Sequence, residues 1–463
     1  MFSSFQPTSS RRLGRWQRSA WACALALLLA GCGGGGSGGG GSSAQPLSCS
    51  VIDQNLWLAQ YMDEWYFWYG LAPSPDPGQY SDVPGYFDAR LYRGTDPRFP
   101  SDRWSGRQTT ESFNRFFGDG ATLGYGMSVA ALELERDGTL PLYVRYVEPG
   151  SPAQAAGIVR GDRVLELNGV SAATLVSSND FAVLTPVQQG DVLNVRVSSP
   201  GAQARLAVLT AAVYSLQPVQ SVSTLGTPGG RRVGYLMVKD MISQALTPID
   251  SAFARFAADG VQDVVLDLRY NGGGLVSVGG TLASYLAGAR GSGLTYASLL
   301  YNDKRASSNN QRFAFSTPAA GLSLPRVFVI TGRRTCSASE QLINGLRGAG
   351  VQVISIGETT CGKPVGFLPT SACGQTYSVV NFESVNHRGE GRYFEGFDAS
   401  CEAADPTLSK PFGDPDEDLL KVALSYADTG ACPVTAAGRA APLSARKKLR
   451  QWVSDERTLM IGR

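Results

Sequence analysis

Four short apolar runs, "VGYLMV", "VQDVVLDLR", "RVFVIT" and "VQVISIG", recur between residues 233 and 357 and are separated by segments with helical spacing. Runs that are apolar throughout, without a polar alternate, belong to strands covered on both faces. Strands that alternate with helix-length segments build a sheet with crossover connections, so this part of the chain is an α/β core. Its helices are expected at 247–260, opening at Thr247 with Pro248 in the first turn, then from about Leu275, then from Ser337. With 463 residues, 43% of them hydrophobic, the chain has room for this core and further domains.

Ahead of the core, residues 118–212 change to short alternating runs such as "LPLYVRYV" and "VLNVRV", broken by "PGSPAQAAGIVRGD" and "NG". That pattern is a small β-rich module. Residues 49–117 are aromatic, and "LWLAQYMDEWYFWYG" places Trp57, Tyr61, Trp65, Trp68 and Tyr69 at helical spacing. Such a stripe is a helix buried against a neighbour. A basic segment, "ARKKLRQW", marks residues 436–463 as a solvated terminal helix or tail.

Residues 1–31 hold Arg11, Arg12, Arg15 and Arg18, no acid, and the apolar run "AWACALALLLA". This is the layout of a signal peptide, too short for a comfortable membrane span. It ends in Leu29-Ala30-Gly31-Cys32, which resembles the bacterial lipobox and implies cleavage before a lipidated Cys32. Residues 32–48 then read as a flexible tether, "GGGGSGGGG". The expected place is the cell envelope, anchored through Cys32 to a membrane, facing the periplasm, on the outer membrane. Without its four signal arginines the chain carries 37 basic residues against 39 acidic ones, a net charge of 37 − 39 = −2, which calls for no nucleic-acid partner. Six cysteines follow Cys32: Cys49, Cys336, Cys361, Cys373, Cys401 and Cys432. In an oxidising compartment they favour disulfides, with 15 pairings open. A zinc site is disfavoured by the absence of any CxxC pair and by a single histidine.

The chemistry concentrates in "TCSASE", residues 335–340. Ser337 and Glu340 have the S-x-x-E spacing of a capping box, and a serine at a helix N-terminus also sits where unpaired N–H groups favour negative charge. A nucleophilic serine needs a base and oxyanion donors. His387, the one histidine, lies in the turn "SVNHRGEG", and no GxSxG elbow surrounds Ser337. Lys363, in "GETTCGKPVG" 26 residues later, serves instead if burial lowers its pKa towards neutrality. One strand–helix–strand unit brings it back to the same sheet edge, beside "NGGG" at 271–274.

The run Glu148-Pro149-Gly150-Ser151-Pro152-Ala153, with Ala156-Gly157-Ile158, Gly161-Asp162 and Val164-Leu165-Glu166-Leu167-Asn168-Gly169, resembles a PDZ domain. Its carboxylate-binding loop then corresponds to Leu123-Gly124-Tyr125-Gly126, glycines letting N–H groups converge on a peptide C-terminus. "VLDLRYNGGG", "TCSASE" and "GETTCGK" resemble the carboxyl-terminal processing, or tail-specific, serine protease family. The resemblance spans roughly residues 118–425, in PDZ-then-protease order. It implies a multidomain α/β (α+β) fold with a ClpP/crotonase-like protease core at 213–435, preceded by the PDZ domain and a small helical N-terminal region. It also implies Ser337 as nucleophile, Lys363 as general base, and one of Gly272 to Gly274, with Gly273 preferred, together with Ala338 as oxyanion donors, without metal or cofactor. The partners it implies are protein or peptide substrates with exposed C-termini. The family commonly places a glutamine four residues after the lysine; here Phe367 stands there, leaving Gln375, Asn381 or Glu383 as substitutes or the pair as a dyad. Cys336 and Cys361 flank the two candidates, as a disulfide or as core thiols. Beside an endopeptidase, the residues leave open an inactive peptide- or lipid-binding protein on the same fold and an esterase or amidase.

Overall fold

The structure is a computed structural model that describes residues 45–131, 140–403, 408, 410–433 and 459–461. The signal peptide, Cys32 and the glycine tether lie outside the described residues, as does most of the basic segment. Ser50 caps helix α1 (Val51–Trp65) by accepting the Asp53 N–H, and α1 buries Trp57, Tyr61 and Trp65 on one face. The aromatic stripe was expected to stay helical to Tyr69, but the helix stops at Trp65. Tyr66 turns extended, its hydroxyl donates to Asp102 at 2.7 Å, and the Phe67 N–H pairs with the Val380 carbonyl at 2.8 Å, so tertiary hydrogen bonds override the helical spacing. Trp68 joins the same cluster from the following turn, stacked on Tyr92 and Trp104. Helix α2 (Val83–Ala89), strand β1 (Gly106–Thr109) and helix α3 (Thr110–Phe117) complete this region. Its aromatics share one apolar core with the α/β part.

The β-rich module contains β2 (Ala121–Gly124), β3 (Met127–Ala131), β4 (Leu142–Val147), α4 (Pro152–Ala155), β5 (Arg163–Leu167), β6 (Val170–Ser171), α5 (Ala172–Ser178), β7 (Val192–Ser198), β8 (Arg205–Thr210) and β9 (Ala212–Ser215). Its sheet runs β3-β4-β5-β7-β8, with β6 on β5, and β2 pairs separately with β9, so the module reaches Ser215. Val129, Val144, Val164, Leu167, Leu193, Val195 and Val197 alternate inwards into its own core. At its boundary with the α/β part, Tyr146 joins a different cluster, together with Tyr235 and Phe328.

The α/β part follows with β10 (Val219–Gly226), β11 (Arg232–Val238), α6 (Leu246–Ala258), β12 (Asp263–Asp267), β13 (Gly273–Leu275), α7 (Val276–Ala287), β14 (Thr295–Tyr301), α8 (Ala306–Asn309), β15 (Gln311–Ala314), β16 (Arg326–Thr331), α9 (Ala338–Gly348) and β17 (Gln352–Gly357). Then come β18 (Val365–Phe367), β19 (Thr370–Ala372), β20 (Gln375–Ser378), β21 (Val380–Val385), β22 (Cys401–Glu402), α10 (Asp418–Thr429) and β23 (Leu459–Ile461). The main sheet has the order β10-β11-β12-β16-β17-β22, parallel except for β10 at one edge. Leu236, Val238, Val264, Leu266, Val327 and Val329 face α6, α7, α9 and the aromatic cluster, while Tyr235, Met237, Val265, Phe328 and Ile330 face α10. Both faces are covered, which is why these strands read as continuous apolar runs. Helix α6 opens at Leu246 after a 3₁₀ turn, with no side-chain cap, so Thr247 is not its cap.

A second sheet has the order β13-β23-β18-β21-β14-β15, and a third, β1-β20-β19, ties the N-terminal region to the core. The stretch expected to end in a solvated tail therefore contributes a strand, β23, to the interior of a sheet. All six cysteines after Cys32 pair, as Cys49–Cys373, Cys336–Cys361 and Cys401–Cys432. Trp68 is 2% exposed and packs on Tyr66, Tyr92, Phe99 and Trp104. Trp68→Ala is expected to lower unfolding free energy by about 3–5 kcal/mol in urea denaturation, as for other buried aromatics cut to alanine.

Candidate active site

Ser337 stands at the N-cap of α9 with φ +63° and ψ −117°, a conformation that non-glycine residues adopt only under constraint. The geometry of a capping box is in place, with Glu340 Oε2 accepting the Ser337 N–H at 3.0 Å. Ser337 Oγ nevertheless meets no donor or acceptor at hydrogen-bonding geometry, although the residue is fully buried. A buried hydroxyl without a partner is costly and uncommon, and here it tips the first turn of an eleven-residue helix. The Ala338 N–H, next in the chain, meets no acceptor among the described residues.

Lys363 lies in the loop between β17 and β18 and is also fully buried. Burial lowers its pKa to about 7, against the pull of the Asp102 and Glu340 carboxylates. Its Nζ sits 4.0 Å from the centre of the Phe367 ring. The residue that joins the two loops is Glu340. Its Oε2 accepts Ser337 N at 3.0 Å and Lys363 N at 2.8 Å, and its Oε1 accepts Gly362 N at 2.8 Å and Thr360 Oγ1 at 2.5 Å. Burial raises its pKa, and these four donors work against that rise. The Cys336–Cys361 disulfide, Cα atoms 5.2 Å apart, links the same two loops covalently. Gly362 has φ +82°, and a Cβ there would lie 2.1 Å from the Phe394 carbonyl oxygen, so only glycine precedes the lysine.

The "NGGG" loop is organised by Asn271, which is fully buried. Its Nδ2 donates to the Val238 carbonyl at 2.9 Å, its Oδ1 accepts Gly273 N at 2.8 Å and Ser339 Oγ at 2.9 Å, and its carbonyl accepts Cys336 N at 3.2 Å. In this conformation the Gly273 N–H serves Asn271, and Ala338 stands at the helix start. The loop is held from behind by Arg269, which grips Asp267 and Glu417 at once.

The three substitutes for the missing glutamine are engaged elsewhere. Asn381 ties the Leu368 N–H to the Trp65 carbonyl, Glu383 is held by Arg392, and Gln375 pairs across β1. Phe367 fills that place with a ring face instead. His387 is exposed and accepts the Thr295 N–H, apart from buried Ser337. In the β-rich module, Leu123 and Gly124 end β2, Tyr125 is buried and Gly126 has φ +82° against Ser151. These four residues line a cleft together with Lys239, Tyr270 and Arg334 of the core. Among the described residues β3 pairs only with β4, leaving an edge beside that cleft. Asn271, Ser339 and the clamp made by Glu340 were missed from sequence; the S-x-x-E spacing was the only trace of the last.

A PDZ-like module docked on an α/β core, with an unpartnered serine at a helix start and a buried lysine beside it, defines the class of multidomain proteins with a peptidase-type core. Residues 232–381 of the chain match Peptidase family S41, residues 53–106 match the Peptidase S41 N-terminal domain, and residues 143–177 between them match a PDZ domain. The chain is 28% identical over 244 residues to a carboxyl-terminal-processing protease of Picosynechococcus, covering 52% of this chain and 55% of that one. It is 26% identical to the chloroplastic carboxyl-terminal-processing peptidase 2 of Arabidopsis thaliana, covering 58% and 51%. The chain thus spans about half the length of the curated relatives it matches. A crystal structure from Bacteroides fragilis assigned to the S41 proteases superposes with a TM-score of 0.64 at 27% identity, covering 80% of this chain and 96% of that one.

Two outcomes follow for stability. Glu340→Ala leaves three buried backbone N–H groups without an acceptor and is expected to cost roughly 3 kcal/mol or more in urea denaturation. Lys363 has a folded pKa of about 7 against 10.5 for the free side chain, so between those values the unfolded chain binds more protons. The stability of the native protein should fall, relative to Lys363→Met, as pH drops from about 10.5 to 7, and the difference should level off below that, at on the order of 5 kcal/mol.

Proposed function

We propose that this protein is a serine endopeptidase that binds the C-terminal tails of other proteins through its PDZ module and cleaves them with Ser337 and Lys363. The observation that carries this reading is the placement of a serine hydroxyl without a partner and a lysine with a pKa near 7 on two loops clamped by one carboxylate. The neutral Lys363 amine takes the proton from Ser337 Oγ as the oxygen attacks the scissile carbonyl. The oxyanion forms at the start of α9, facing the Ala338 N–H. Gly273 joins it once its N–H is released from Asn271, a peptide rotation that residues without a Cβ oppose least. The new ammonium lies over the Phe367 ring, whose quadrupole favours a cation, and it returns its proton to the leaving amine. Lys363 then deprotonates the water that hydrolyses the acyl-enzyme.

The cleft beside Leu123–Gly126 and the edge of β3 at the end of its sheet suit a tail that adds as a strand with its carboxylate at the loop. The lipobox at Cys32 and three disulfides support a lipid-anchored place in the cell envelope, facing the periplasm. The Phe367 substitution favours one rival, a peptide-binding protein without catalysis on the same fold.

Ser337→Ala and Lys363→Ala are each expected to abolish cleavage of a denatured or tailed substrate. In the native enzyme kcat/KM should rise from acid to neutral pH through an apparent pKa of about 7, because only the deprotonated lysine is a base. Full activity in either variant ends the assignment. No labelling of Ser337 by a fluorophosphonate at any pH, with C-terminal peptides still bound, favours the rival.

A further inference from the structure

Strand β23 lies where the fold otherwise leaves a gap. On one side it pairs in parallel with β13, Gly273 facing Leu459, Gly274 facing Met460 and Leu275 facing Ile461. On the other it pairs with β18, Phe367 facing Ile461. The outer edge of β13 is already taken, because Leu275 N donates to the Met241 carbonyl at 2.7 Å and Met241 N to that of Gly273 at 3.1 Å. The outer edge of β18 is taken by β21. Without β23 the two strands would present a pair of facing, unpaired edges with a slot one strand wide between them.

The slot is bordered by the reactive groups. β13 is the continuation of "NGGG", β18 starts two residues after Lys363, and the Cα atoms of β23 come within 8 Å of those of α9, the helix that Ser337 caps. Ser337 and Lys363 have no exposed surface. A substrate reaches the serine only if something leaves, and an extended peptide bonded on both edges is the form in which proteases hold a chain.

We propose that the segment Leu459–Ile461 is an intramolecular occupant of the substrate slot, so that the enzyme rests self-blocked and any substrate strand must displace this one. The proposal rests on the peptidase reading. Main-chain bonds to β13 and β18 hold the segment, and its residues, Leu459, Met460 and Ile461, are apolar and uncharged. The 25 residues between Pro433 and Leu459 can span up to about 85 Å when extended, so reach within one chain is no obstacle.

The test compares the full chain with a variant lacking residues 458–463, and with Met460→Pro, which keeps the length but disrupts strand pairing. A tether supplies a local concentration on the order of millimolar, so labelling of Ser337 by a fluorophosphonate should quicken about tenfold in both variants for a segment that binds at about 0.1 mM. The free peptide TLMIGR, added to the shortened protein, should slow it again. Hydrogen exchange gives a readout independent of catalysis: in the Ser337→Ala background, the amide of Gly274 and those amides of β18 that face β23 should be protected in the full chain and exchange faster after truncation. Equal labelling rates together with unchanged protection overturn the proposal. Protection that disappears on dilution also overturns it, since the strand would then come from another copy. If no form labels but the exchange difference persists, the peptidase reading fails and the self-docked strand stands.

Discussion

A carboxylate buried as completely as that of Glu340 is tolerated only where donors replace the water it has lost. Four do so, and they come from both sides of the site: Ser337 N from the helix start, and Thr360 Oγ1, Gly362 N and Lys363 N from the lysine loop. The requirement to satisfy one charge thus fixes the separation of two loops that are 26 residues apart in sequence. It also sets the electrostatics. The same carboxylate that positions the lysine backbone pulls the lysine pKa upward, and only complete burial of the side chain overcomes this and leaves the amine near neutrality. Ser337, Lys363 and Glu340 therefore all depend on a dry site, and loosening any of them admits water to all three.

The loop after β12 and the segment ahead of α10 meet the β-rich module through cations and rings. Arg145 lies over Tyr270 at 5.1 Å, Arg160 over Phe412 at 4.4 Å, and Arg160 donates to the Tyr270 hydroxyl at 3.1 Å. Tyr270 is the residue before Asn271, and Arg269 before it is locked to Asp267 and Glu417. The "NGGG" loop is thereby anchored at its first residues by both the module and the core, while Gly273 and Gly274 keep the left-handed freedom that the rest of the loop lacks.

The parallel core was legible because its strands are covered on both faces, and the glycine loop, serine and lysine were legible because each falls at the end of such a strand. Ser337 as a helix cap was readable from Glu340 three residues on. That Glu340 also accepts from Gly362 and Lys363 was not, since nothing local to "GETTCGK" marks a backbone N–H as needing a distant acceptor. The end of α1 at Trp65 was hidden for a related reason: the bonds that stop it go to Asp102 and Val380, far along the chain. A phenylalanine where the family has a glutamine points in sequence to polar substitutes, whereas the structure has an aromatic face there, a contact that only appears once Lys363 and Phe367 are folded together. Strand β23 follows a basic stretch, and its place is set by two facing sheet edges that the sequence does not announce.

The Cys336–Cys361 bond closes a loop of about 25 residues between the serine and the lysine, a constraint worth roughly 3 kcal/mol against the unfolded chain. Before oxidation the two loops are joined by hydrogen bonds, among them those of Glu340 and that of the Cys361 N–H to the Thr335 carbonyl at 3.1 Å. A reduced chain carries every residue of the site but lacks its covalent tie, so reduction would loosen the serine loop from the lysine loop without removing a single group of the site.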